Sequence, residues 1–90
     1  MKKSKLQEIL RREIDKYASK SYKELTEISE SIVYQGNEEG EFFQVEILLL
    51  ENKMDYVHVG VSVDDGSFIR TTFWPVSSSF LVFSDGRVDK

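Results

Sequence analysis

Residues 42–83 read FFQVEILLLENKMDYVHVGVSVDDGSFIRTTFWPVSSSFLVF, two strand patterns that meet at Asp64-Asp65-Gly66. Successive strand residues point to opposite sides of a sheet, so alternation assigns each side chain to a face. Within 41–50 it places Phe43, Val45, Ile47 and Leu49 on one face. Within 56–63 the pattern is cleaner: Val57, Val59, Val61 and Val63 on one side, Tyr56, His58, Gly60 and Ser62 on the other. A third strand is predicted over 67–74, stopped by Pro75, which has no N–H to give to a ladder. Ser77-Ser78-Ser79 reads as a loop, and Phe80-Leu81-Val82-Phe83 as a last short strand before the turn Ser84-Asp85-Gly86.

Register follows from which side chains must be buried together. A three-residue loop, 52–54, pairs Glu51 with Asp55 and sets Leu49, Ile47 and Val45 opposite Val57, Val59 and Val61. A two-residue loop mixes glutamate and glutamine with the valines. At the next turn, a loop of Asp64-Asp65-Gly66 with Gly66 left-handed pairs Val61 with Ile69 and Val57 with Phe73. The two-residue alternative pairs Val61 with Arg70 and drives an unpaired charge into the core, at a cost of several kcal/mol. These registers predict a core face of Val45, Ile47, Leu49, the four valines, Ile69 and Phe73.

Upstream, Leu6, Ile9, Leu10, Ile14 and Tyr17 recur at helical spacing and form one apolar stripe, suited to cover that core face. Ser4-Lys5-Leu6-Gln7 and Ser21-Tyr22-Lys23-Glu24 both match the capping-box pattern, predicting two helices with a change of direction near 19–21. Ile32-Val33-Tyr34-Gln35 favours a short strand, and Gly36-Asn37-Glu38-Glu39-Gly40 reads as a turn. The fold class expected is α+β. One or two N-terminal helices pack on one face of a mainly antiparallel sheet of four to five strands, in a single domain over residues 1–90.

At 40% apolar and 31% charged residues the chain lies in the ordinary globular range. It has no cysteine, which excludes disulfides, a thiolate nucleophile and cysteine-ligated metals, and fits a cytoplasmic location. No stretch approaches membrane-spanning length. The net charge of −4 is uneven, with basic residues gathered in 1–23 and acidic ones beyond. A basic helix can meet nucleic acid or anionic lipid. Here the acidic remainder argues instead for a helix that complements its own sheet, so neither nucleic acid nor membrane is expected as a partner.

Catalytic chemistry finds little support. His58 is the only histidine, Asp64-Asp65-Gly66 is what a hairpin turn requires, and Ser77, Ser78 and Ser79 have no evident base. Gly36 and Gly40 lack the following lysine and helix of a phosphate loop. No enzyme activity, cofactor or metal is expected. The second sheet face is the more informative feature. In the expected register it carries Glu46, Leu48, Leu50, Tyr56, His58, Arg70 and Trp74, with Glu46 and Arg70 reaching over Gly60 to pair. Aromatic, aliphatic and arginine side chains together are the composition of interface centres. Either this face is covered from within by the second helix or the C-terminal segment, or it serves self-association or a foreign partner.

The runs Gln44-Val45-Glu46-Ile47, Val61-Ser62-Val63-Asp64-Asp65-Gly66 and Phe73-Trp74-Pro75-Val76, with Ser79-Phe80 and Asp85-Gly86, follow a Ser-Tyr-x-Glu-Leu helix at 21–25. Across residues 5–87 this resembles a family of small uncharacterised bacterial proteins. The resemblance implies a helix-then-sheet architecture and a bacterial origin, and brings no activity with it. The function expected is a small interaction protein that forms a homodimer or binds a protein partner through the aromatic face. Two other readings stand beside it. One is an acidic inhibitor or immunity-type protein that caps a basic partner, favoured by a contiguous acidic patch. The other is a small-molecule binder with a pocket around His58, Arg70 and Trp74.

Overall fold

The computed structural model describes residues 1–28, 31–66 and 76–90. Two helices, α1 (Lys3–Ala18) and α2 (Tyr22–Thr26), precede five strands: β1 (Ser31–Glu38), β2 (Glu41–Asn52), β3 (Tyr56–Asp64), β4 (Val76–Phe83) and β5 (Val88–Asp89). The strands form one sheet in sequence order, every neighbouring pair antiparallel. The fold is therefore α+β, with helices on one side of an open antiparallel meander.

Burial on α1 falls on Leu6, Ile9, Leu10, Tyr17 and Ala18, the helical spacing that makes an apolar stripe. Two details of this helix differ from the sequence reading. Ser4 does not cap it: Lys2 is the N-cap and makes no side-chain cap bond. Glu13, not Ile14, lies in the buried row, its carboxylate 4.0 Å from Lys16 Nζ, while Ile14 is partly buried at the margin of the core. The second cap forms as expected. Ser21 Oγ accepts from the Glu24 N–H and the Glu24 carboxylate accepts from the Ser21 N–H. That box turns the chain so that Leu25 reaches the core and the Tyr22 hydroxyl donates to the Lys53 carbonyl in the β2–β3 loop.

The five-residue turn expected at 36–40 contracts to two residues. Glu39 (φ 53°) and Gly40 (φ 78°) are both left-handed, the requirement of the tight hairpin turn whose twist matches the strands. β1 consequently runs on through Gly36 to Glu38. Gly36 suits a strand here because the Phe43 ring lies over it, where a β-carbon would meet Phe43 Cζ at 2.4 Å.

β2 and β3 pair two residues further along than expected: Val45 faces Val63, Ile47 faces Val61 and Leu49 faces Val59. A shift of two keeps every side chain on its face, so the residues that β2 and β3 turn toward the helices are those expected, whereas Ile69 and Phe73 of the expected core lie outside the described residues. A β-bulge between Leu49 and Glu51 then shifts the pairing by one more residue, so that Glu51 faces His58. The physical cause is the charge. In unbroken alternation Glu51 follows Leu49 into the core, whereas the bulge turns it to the other face.

The outer neighbour of β3 is β4, with Val61 opposite Ser78 and Val57 opposite Val82. This replaces the expected pairings of Val61 with Ile69 and Val57 with Phe73. Both edges of β3 are taken, by β2 and β4. The strand expected over 67–74 lies outside the described residues, as do Arg70 and Trp74. Ser77-Ser78-Ser79 belongs to a strand and not to a loop. The turn at 84–86 forms as read, with Gly86 at φ 96°, and Gly66 is left-handed at φ 81°. α1 packs across β3 and β4 and α2 against β2 and β3, and Val45, Ile47, Val57, Val59, Val61, Val63, Phe80 and Val82 are buried on the helix side of the sheet.

Candidate interaction face

The side of the sheet away from the helices is built by strand parity. Glu46, Ser62 and Ser77 form one transverse row, and Leu48, Gly60 and Ser79 the next. Beyond them come Leu50 and Glu51 of the bulge, then His58, Leu81 and Asp89. Tyr56 and Phe83 close that end, ring centroids 6.0 Å apart. Five expected face residues, Glu46, Leu48, Leu50, Tyr56 and His58, do share this surface, although in rows different from those predicted. Arg70 and Trp74 lie outside the described residues.

Gly60 holds the middle of the face. Its missing side chain is filled by Leu50, whose Cδ1 lies 3.1 Å from where a β-carbon would stand. Leu50 therefore occupies the place that the expected Glu46–Arg70 pair was to bridge. Glu46 makes no ion pair with any described residue. Val33 is 52% exposed, Leu50 50% and Leu48 37%, a run of aliphatic surface with Phe42 exposed beyond it. Leu48, Leu50, Gly60 and Ser62 border a shallow depression of about 440 Å³ with Ser77 and Ser79.

A polar network borders the aliphatic run. His58 Nε2 is 2.9 Å from Ser79 Oγ, and His58 Nδ1 is 3.5 Å from a Glu51 carboxylate oxygen. The Tyr56 hydroxyl donates to the other Glu51 oxygen at 3.2 Å. Burial first, then the Glu51 carboxylate, push the Tyr56 hydroxyl above its ordinary value, so it stays protonated as a donor. Carboxylate, imidazole and hydroxyl stand in the order of a nucleophile relay. Acyl transfer also needs donors aimed at the oxyanion that develops on the attacked carbonyl. Strand N–H groups lie in the plane of the sheet, across the direction in which Ser79 projects, and so do not supply them. The three side chains link β2, β3 and β4 across the open face.

Sequence reasoning missed Glu51, Phe83 and Arg87, and its expectation that Ser79 has no evident base is corrected by His58 Nε2 at 2.9 Å from the Ser79 hydroxyl. Arg87 sits with its guanidinium 4.4 Å from the Phe83 ring centroid and pairs with Asp85 at 2.9 Å, giving this end an aromatic–arginine corner. Their signals were present but faint. A glutamate at core parity after Leu49 marks a bulge, and alternation in 80–83 separates Phe83 from Phe80.

Charge is divided between the two sides. On the helix side, Lys5 and Arg12 bind Glu38 at 2.9 and 2.8 Å, and the Met1 ammonium bonds Asp65 at 2.6 Å. Hydrogen bonds from Lys5 and Arg12 hold the Glu38 carboxyl below its ordinary value, and Glu38 raises Lys5 in turn. The basic helix thus meets sheet carboxylates of its own chain. By parity the open face carries Glu46, Glu51, Asp64 and Asp89, against His58 and the peripheral Arg87. Among the described residues no group of three metal-ligating side chains converges, and no helix is long and apolar enough to cross a membrane. No protein-family profile, curated protein or solved structure matches the chain.

Proposed function

We propose that this chain is a non-enzymatic interaction module that docks a protein partner on its open sheet face. The observation that carries the reading is the one-sided helix layer. It seals one face of the sheet and leaves Val33, Leu48 and Leu50 exposed on the other, with Tyr56, Phe83 and Arg87 at one end of that face. Contiguous apolar surface of this kind marks interaction sites.

The charge pattern favours a basic partner. Glu46, Glu51, Asp64 and Asp89 fringe the aliphatic run, so a partner bringing apolar side chains to Leu48 and Leu50 and lysine or arginine to the carboxylates meets complementary charge. Stacking two copies through this same face sets carboxylates against carboxylates. The reading is therefore closer to an acidic capping protein than to a face-to-face dimer. It takes the cytoplasm as its setting, on the strength of the cysteine-free sequence.

Differential capture from a native extract tests it. Wild-type chain, a Leu48→Ser/Leu50→Ser double variant and an Arg11→Ser helix-side control are immobilised in parallel. The expectation is a basic protein retained by wild type and control and lost from the double variant. Equal retention by all three refutes the face as the binding surface.

A further inference from the structure

We propose that β1 is a self-pairing edge, and that two copies of this chain join β1 to β1 into one continuous ten-stranded antiparallel sheet. Hydrogen-bond parity comes first. Glu38 and Glu41 close the two-residue turn, so Glu38, Gly36, Tyr34 and Ile32 direct their N–H and C=O groups toward β2. Ser31, Val33, Gln35 and Asn37 then direct theirs outward, away from the sheet. Among the described residues no backbone hydrogen bond outside the β2 ladder involves β1.

Edge strands of monomeric proteins are blunted by lysine, proline, bulges or short length. β1 has none of these. It runs eight residues, in unbroken register with β2, and Glu38 is its one charged residue. The opposite boundary is treated differently, since β5 covers Leu81 and Val82 of β4.

A second copy is the occupant that fits. Antiparallel pairing about a two-fold axis at Tyr34 sets Val33 against Gln35 and Ser31 against Asn37 of the second copy, and engages all four outward-facing residues of each strand. The two Glu38 side chains fall at opposite ends of the seam, far from each other. On the helix side Ile32, 36% exposed, comes to lie toward Gly36 and the Phe43 ring of the second copy. A two-fold axis perpendicular to the sheet places both helix layers on the same side, flanking the seam. The open face is left free in both copies, so this pairing is independent of the partner docking proposed above.

Sedimentation and light scattering across a dilution series test the proposal. Wild type is expected to reach twice the 10.5 kDa chain mass and go no further. Val33→Lys/Gln35→Lys sets lysines opposite one another along the seam and is expected to abolish the dimer while keeping the wild-type circular dichroism. Gln35→Pro removes one outward N–H without touching the β2 ladder, and carries the same expectation. Leu50→Asp, on the open face, is expected to leave the dimer intact. A monomer at every concentration overturns the proposal, as does a dimer that survives both edge changes or is lost with Leu50→Asp. Growth beyond two chains overturns it too, because that is the signature of head-to-tail pairing between β1 and the far edge.

Discussion

Replacing Gly36 with alanine separates a strand-propensity argument from a packing argument, because the two predict opposite signs. Glycine inside a strand costs roughly 0.5–1 kcal/mol relative to alanine through backbone entropy, so propensity alone predicts stabilisation. Packing says otherwise. The added β-carbon would stand 2.4 Å from Phe43 Cζ, 2.9 Å from Cε1 and 3.0 Å from Cε2. Carbon atoms sit comfortably about 3.5–4 Å apart, so the ring must retreat by roughly 1 Å. Phe43 is 8% exposed and belongs to the buried core, so that retreat disturbs packed neighbours. Overpacking of this kind costs about 1–3 kcal/mol. Set against the backbone gain, Gly36→Ala is expected to destabilise by about 1–2 kcal/mol, lowering the Tm by about 4–16 °C in a domain this small. Thermal and urea unfolding measure it. In a double-mutant cycle with Phe43→Leu, the pair should lose less than the sum of the singles by at least about 0.5 kcal/mol. A Tm that rises with Gly36→Ala, or strict additivity in the cycle, refutes the reasoning.

Three further outcomes follow from the same geometry. Val59→Asp places a charge at a fully buried site under α1 and should abolish cooperative unfolding, whereas Leu50→Asp on the open face should stay folded with a Tm close to wild type, as circular dichroism will tell. Glu38 has its folded pKa depressed by Lys5 and Arg12, so its stabilisation is complete above the ordinary glutamate range near pH 4 and is lost as pH falls through the lower folded value. Glu38→Gln should therefore be less stable than wild type at neutral pH, with the difference closing under acid; a constant difference down to pH 2 contradicts the ion-pair account. Ser21→Ala removes the acceptor of the α2 capping box and should cost about 1 kcal/mol in urea unfolding, a loss that Ser4→Ala, with no cap bond in α1, should not match.

The faces of the sheet were legible in the sequence because they depend only on alternation. Val45, Ile47 and the valines of β3 could not be polar-side residues in any register that buried a core. Register itself was less legible, since slipping by two preserves every face and leaves the apolar pattern silent. The Leu49–Glu51 bulge was equally silent in that pattern, moving the pairing by one further residue and turning Glu51 out of the core. The β3–β4 pairing was missed because the hairpin turn at 64–66 suggested an immediate return, and because three consecutive serines suggest a loop. In β4 those serines supply small side chains, one of them held by His58. Gly36 misled for a related reason: a glycine four residues before another looks like a turn until the aromatic ring that covers it is known. Within the candidate site, the aliphatic run of Leu48 and Leu50 could be read directly. The Glu51–His58–Ser79 link could not, because it exists only once the bulge and the β4 register are both in place.

Methyl NMR with a soluble paramagnetic probe tests the two-sided sheet most directly. The account predicts strong attenuation of the Val33, Leu48 and Leu50 methyl signals, with Val45, Ile47, Val57 and Val59 protected beneath the helices. Equal protection of Leu48 and Leu50 would mean that the chain covers this face itself, and the proposed docking surface would be lost with it.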